Sequence, residues 1–127
     1  MRYNNKTYTI NSINLNNSLV FYHALFNRMP EELNTDAMLF RLKELTLAVQ
    51  ETTSVQPSSC PLTFNIAQNS ELIAVNDRMR RFRTVAQING ECQVLNKAFG
   101  IIDPDGNKWV IGDPDQEVRF EECYVEN

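Results

Sequence analysis

The residue types that hold metals or attack substrates are sparse in this chain. It carries one histidine, His23, and three cysteines, Cys60, Cys92 and Cys123, with no CxxC pair among them. A zinc site needs three or four convergent His, Cys or carboxylate ligands, and a disulfide framework needs paired cysteines, so neither is expected. The cysteines read as reduced thiols, of which Cys60, next to Pro61, is the one to watch. His23 falls inside a helical pattern with no base or nucleophile spaced to meet it, which reads as a helix-surface residue and leaves no Ser/His/Asp or Cys/His set. Oxygen-bearing side chains gather around a turn in "GIIDPDGNKWVIGD", Gly100 to Asp113. A calcium loop of the EF-hand kind puts glycine sixth and glutamate twelfth, whereas here glycine is fourth from Asp103. Asp-Pro-Asp-Gly is instead turn chemistry: proline presets φ, aspartate bonds the following backbone, and glycine accepts positive φ.

Charge narrows the partners. Sixteen acidic residues against twelve basic ones leave a net charge of −4, which repels a polyphosphate, so no nucleic-acid partner is expected. Residues 103–127 hold eight of those acids against Lys108 and Arg119. The run "RMRRFR", with Arg78, Arg80, Arg81 and Arg83, reads as a solvated helix face able to pair with that acidic stretch. The N-terminus has no apolar segment of signal-peptide type, and no window approaches the ~18 apolar residues of a membrane span. The expectation is a cytoplasmic protein of one domain, its 127 residues and 43% hydrophobic content being enough for a core.

The elements that must position any site can be placed from periodicity. "KTYTINSI" alternates as a strand over 6–13, and Asn14 is a good N-cap for a helix over 15–28, whose apolar residues recur at helical spacing until Pro30. "DAMLFRLKELTLAVQE" predicts two strands, or one bent strand, broken at Lys43–Glu44, and a polar connection with Pro57 follows. "PLTFNIAQ" then starts the order again as a strand with Leu62, Phe64 and Ile66 on one face. A second helix follows, capped by Asn69 or Ser70 and buried through Leu72, Val75, Met79 and Phe82. "RTVAQINGECQVLNKAFGII" supplies strand material broken at Asn89–Gly90, and "NKWVIG" is the strand after the DPDG turn. The fold class is α+β: two successive β-α-β-β(-β) units, at about 6–55 and 61–113, with curved sheets of antiparallel type, and an acidic extension over 114–127.

Two motifs carry a resemblance. "NLNNSLVFYHALFN" resembles the first-helix motif of the glyoxalase, bleomycin-resistance and dioxygenase superfamily (vicinal oxygen chelate), commonly D-L-x-x-S-x-x-F-Y-x-x-L-F/L-G. Asn14 stands for its aspartate and Asn27 for its glycine, while Leu15, Ser18, Phe21, Tyr22, Leu25 and Phe26 match. "DPDGNKWVI" is similar to the D-P-D-G-N-x-W-E-L hairpin of that family, and the two motifs lie about 85 residues apart in the family's order. The resemblance implies two βαβββ modules forming curved mixed sheets around an open cavity with helices outside, frequent dimers and, in catalytic members, a divalent metal that chelates the substrate through vicinal oxygens. Its ligands there are His, Gln or Glu from the first strand of a module and from the strand after the hairpin.

Side-chain alternation maps those positions onto this chain. Trp109 and Ile111 are expected in the core and Val110 toward the cavity, where the motif carries a metal-binding glutamate; an isopropyl group has no lone pair to give. Tyr8 and Ile10 pack under the helix, leaving Thr7, Thr9 and Asn11 on the cavity side, with Thr7 or Thr9 at the usual histidine place. Pro61, Thr63 and Asn65 share the cavity face of the second module, and Pro61 or Leu62 takes its histidine place. Glu44, with Thr46 after it, resembles a first-module glutamate of glyoxalase I type enzymes, and one carboxylate falls short of the three or more ligands such an ion takes. His23 lies on the side of the helix away from the cavity.

The expected ligand pocket is therefore Thr7, Thr9, Asn11, Glu44, Thr46, Thr63, Asn65 and Val110, with no cofactor. The leading expectation is a metal-free homodimer that binds a small organic ligand in the cavity or in a dimer crevice, as bleomycin-resistance proteins do. The alternatives are a metal-dependent glyoxalase-type lyase, isomerase or resistance transferase with an altered site, and an interaction module that uses the acidic C-terminal stretch.

Overall fold

A computed structural model describes residues 6–85 and 98–113. The elements run β1 (Lys6–Ser12), α1 (Leu15–Phe26), β2 (Glu32–Leu33), β3 (Ala37–Arg41), β4 (Leu45–Glu51), β5 (Leu62–Asn65), α2 (Asn69–Val85), β6 (Ala98–Ile102) and β7 (Lys108–Gly112). The first sheet has the order β1-β4-β3-β2 and the second β5-β7-β6. Each module closes by pairing its first strand in parallel with its last, β1 on β4 and β5 on β7, while the strands between run antiparallel. The mixed sheets and the strand–helix–strands order agree with the sequence reading.

Local chemistry sets the element ends. The Asn14 side chain accepts from Asn17 N–H at 3.1 Å and caps α1 as the family's aspartate would. α1 stops at Phe26 rather than 28, because Asn27 adopts the left-handed conformation at φ 54°. That conformation is the reason the motif carries glycine there, and asparagine tolerates it. The "DAMLFRLKELTLAVQE" run is two antiparallel strands. β2 has no sequence signal, being two exposed residues, Glu32 and Leu33, held only by pairing to β3. The second helix starts at Asn69, so neither Asn69 nor Ser70 lies outside it as a cap; Leu72 N–H donates to Gln68 C=O. It also runs on through Arg83–Val85, residues expected as strand. Their β-branched members cost a helix only tenths of a kcal/mol, which the buried stripe through Phe82 outweighs. Asn89–Gly90 and the acidic extension over 114–127 lie outside the described residues.

The main apolar core of the described residues spans both modules. Tyr22, Phe26, Phe40, Phe64 and Trp109 meet edge-on or stacked, with Phe26 of α1 at 5.1 Å from Phe64 of β5 and Tyr22 at 5.8 Å from Trp109 of β7. Trp109 and Ile111 are fully buried there, as alternation predicts. Phe21 joins α1 to α2 through Phe82 at 5.2 Å. Phe21, Tyr22 and Phe26 are thus core residues.

The DPDG turn makes more contacts than a turn requires. Gly106 N–H closes it on Asp103 C=O at 3.0 Å, and Gly106 sits at φ 91°, as its residue type suggested. The buried Asp103 carboxylate accepts from Asp105 N–H, from Asn107 N–H and from Asn107 Nδ2. It also accepts from the Tyr22 hydroxyl on α1 at 2.5 Å, and Tyr22 in turn accepts from Trp109 Nε1 at 3.0 Å. Burial, reinforced by the neighbouring carboxylate, pushes Tyr22 well above its ordinary 10.0, so its hydroxyl stays a donor. Asp105 accepts from Ile13 N–H at 3.1 Å and from the Ser18 hydroxyl at 3.2 Å. The hairpin of the second module thereby grips the helix of the first.

Candidate functional site

β1 and β5 are edge strands of their respective sheets, and they bring the two modules side by side. From β1, Lys6 Nζ donates to Thr63 Oγ1 on β5 at 2.5 Å. The Tyr8 hydroxyl shares a hydrogen bond with Thr63 Oγ1 at 3.1 Å and accepts from Thr63 N–H at 3.2 Å. Tyr8 is half-buried and edge-on to Trp109 at 5.8 Å, so its ring packs in the core while its hydroxyl reaches across the seam. The Lys6 N–H bonds Glu44 C=O at 3.1 Å and fixes the β3–β4 turn beside the same seam.

A cavity of about 690 Å³ opens at this end of the seam, of a size suited to a small organic molecule. Leu42, Leu45, Phe64 and Ile66 form its apolar wall. Lys6, Thr63 and Asn65 supply polar groups from the strand edges, and Lys43, Glu44, Glu71 and Asp113 supply charge from the β3–β4 turn, the first turn of α2 and the end of β7. Glu44, Thr63 and Asn65 from the expected pocket therefore line one cavity.

The other expected residues lie elsewhere. Thr7, Thr9 and Asn11 are exposed on the outward face of the first sheet, with half-buried Thr46 directly across from Thr7 on β4. Val110 points away from Trp109 and Ile111 and is buried with Ala98 and Ile102 in a second small apolar cluster. Lys6 and Tyr8 were missed by reasoning from alternation alone. The only sequence signal was a cation and a tyrosine two apart on β1, because which strand edge stands beside β1 is not encoded in β1.

The register tests directly whether a divalent ion fits. Thr7 faces Thr46 and Thr9 faces Ala48 across the first sheet, while Thr63 faces Val110 and Asn65 faces Gly112 across the second. Pro61 is exposed just before β5, and Leu62 is buried in the core. None of these pairs offers two strong ligands, and no group of three or more His, Cys, Asp or Glu side chains converges among the described residues. Among the described residues the donor set does not fit the metal that the motif resemblance implies. His23 is exposed on α1, and Cys60 is exposed with its sulfur 4.0 Å from the Ser59 hydroxyl. No helix among the described residues is long and apolar enough to cross a membrane.

The arginine run has a structural job in part. Arg78 Nε donates to Ala24 C=O at 2.8 Å and Nη2 to Leu25 C=O at 3.3 Å, so α2 satisfies carbonyls at the C-terminal end of α1. Arg80 instead pairs with Asp77 of its own helix at 3.1 Å.

No family model and no curated protein matches the sequence. Solved structures do match in three dimensions. The chain is similar to a glyoxalase-related enzyme from Fulvimarina pelagi, at 22% identity and a TM-score of 0.61, over 90% of this chain and 95% of that one. It is also similar to a glyoxalase/bleomycin resistance protein from Albidiferax ferrireducens T118, at 17% identity and a TM-score of 0.62, over 85% and 97% of the two chains. A fosfomycin resistance protein from Listeria monocytogenes matches at 15% identity and a TM-score of 0.63, over 85% and 88%. A βαβββ module followed by a strand–helix–strands module, the DPDG hairpin locked to the first helix and these likenesses together give the chain the fold of glyoxalase and bleomycin-resistance proteins.

Proposed function

We propose that this protein binds a small organic molecule in the cavity between its modules and does so without a metal ion. The observation that carries this reading is the cavity itself. Its polar wall is built from Lys6, Thr63 and Asn65, and its apolar wall from Leu42, Leu45, Phe64 and Ile66, which suits an organic body better than an ion. Threonine, valine and glycine at the strand positions facing one another support the metal-free part, since they leave a hard or borderline cation without ligands. The fold neighbours named for bleomycin and fosfomycin resistance support small organic compounds as the ligand class.

Calorimetric titration of the full chain with zinc, nickel, manganese and iron(II) tests the metal-free part, with no stoichiometric binding at micromolar concentration as the expected result. Saturable binding of one ion per chain, lost in Glu44→Ala, would overturn it. A thermal-shift screen of small organic compounds tests the rest: hits should raise the melting temperature by mass action, and their resonance shifts should map to Thr63, Phe64 and Ile66. Hits mapping only to the outward face of β1 would place the site elsewhere.

A further inference from the structure

Counting protons at the seam assigns a ligand class to the cavity, an inference that rests on the binding role proposed above. Lys6 Nζ has three N–H groups and spends one on Thr63 Oγ1. The Tyr8 and Thr63 hydroxyls have one proton each and share a single hydrogen bond, whichever of them donates it. Thr63 N–H is spent on Tyr8. Two ammonium protons and one hydroxyl proton therefore have no acceptor among the described residues, and no carboxylate there lies within ion-pair distance of Lys6. This half-buried group, of which Lys6 and Thr63 line the cavity, is rich in donors and carries one positive charge.

Its chemical complement is a group with two acceptor oxygens and one negative charge. We infer that the cavity takes a small organic monocarboxylate, its carboxylate on Lys6 Nζ and the Thr63–Tyr8 hydroxyl pair and its apolar body against Leu42, Leu45, Phe64 and Ile66. Charge-assisted bonds to an ammonium are among the stronger hydrogen bonds, and an apolar wall strengthens them by excluding water. Glu44, Glu71 and Asp113, around the same cavity, set the limit on charge: against Lys6 and Lys43 they leave the lining net negative, which disfavours di- and polyanions such as nucleotides.

The test uses 3-phenylpropionate and hexanoate, their uncharged amides, and the dianion phenylsuccinate, each titrated into the full chain and followed by amide resonance shifts. The acids should bind about tenfold or more tighter than their amides, and phenylsuccinate more weakly than 3-phenylpropionate. Lys6→Met, which keeps the stem and removes the charge, should abolish most of the preference for acid over amide, while Lys6→Arg should keep most of it. Equal affinity of acids and amides, or unchanged acid affinity in a folded Lys6→Met variant, overturns the carboxylate assignment and leaves the cavity as a binding site for neutral molecules. If neither acids nor amides shift the cavity resonances at millimolar concentration, the carboxylate assignment and the binding role fall together.

Discussion

The hydroxyl of Tyr22, on the helix of the first module, donates to the carboxylate of Asp103, in the hairpin of the second, at 2.5 Å, and both groups are buried. Tyr22→Phe deletes the hydroxyl, leaves Asp103 Oδ2 with the Asn107 Nδ2 donor alone and leaves the indole N–H of Trp109 without its partner. The expected loss is about 1–3 kcal/mol of unfolding free energy, measured by urea denaturation. A change under about 0.5 kcal/mol would mean that the bond is made good by other groups.

The same pair carries a pH dependence. Burial pushes the Asp103 carboxyl above its ordinary 3.8, and the bonds from Tyr22 and Asn107 pull it part of the way back. The native state then holds this proton more tightly than the unfolded chain does. The stability contributed by the protonated form is fully present below the unfolded value and is lost as the pH rises through the raised one. Stability measured against Asp103→Asn at a series of pH values from about 3 to about 7 should therefore shift in the variant's favour as the pH rises. A shift toward the wild type would show that the four hydrogen bonds to the carboxylate outweigh its burial.

Much of this frame was legible because it depends on local patterns. The period of the apolar residues marked both helices, and Asn14 and the DPDG run marked a helix start and a hairpin. Alternation placed Trp109 and Ile111 in the core, whereas Val110, expected toward the cavity, is buried in a separate small cluster with Ala98 and Ile102. What sequence could not show was which elements meet. Nothing in "DPDG" says that its two aspartates reach Tyr22, Ser18 and Ile13, some 80 to 90 residues away. Nor does alternation say that β1 lies beside β5, which is what gathers Lys6, Tyr8 and Thr63 and leaves Thr7, Thr9 and Asn11 outside.

Val110 tests whether one side chain separates this chain from a metal-binding one. Val110→Glu restores the residue of the similar hairpin motif, yet Val110 is 9% exposed among Ala98 and Ile102, with Thr63 and Gly100 as its strand partners. The variant should lose on the order of 2–4 kcal/mol by placing a carboxylate in an apolar cluster and should still not take up zinc at micromolar concentration. Zinc binding on this substitution alone would show that further ligands stand within reach.

Arg78 separates structural from solvated members of the arginine run. Arg78→Met removes the donors to Ala24 and Leu25 and should cost about 1–2 kcal/mol in urea denaturation. Arg78→Lys should recover only part of this, because one ammonium cannot reproduce the fork that reaches two carbonyls. Equal stability of all three proteins would place those carbonyls in contact with water.

Both ends of α1 are held from outside its own helix: Glu51 of the first module and Asp105 of the second receive donors from residues 13–18, and Arg78 of α2 serves the last carbonyls. The molecule looks like one unit repeated, but neither repeat can come apart without stripping this helix of partners supplied by the other. Its two halves should accordingly share one cooperative unfolding transition, and a chain cut at the 52–61 connection should give two fragments that fold only when mixed.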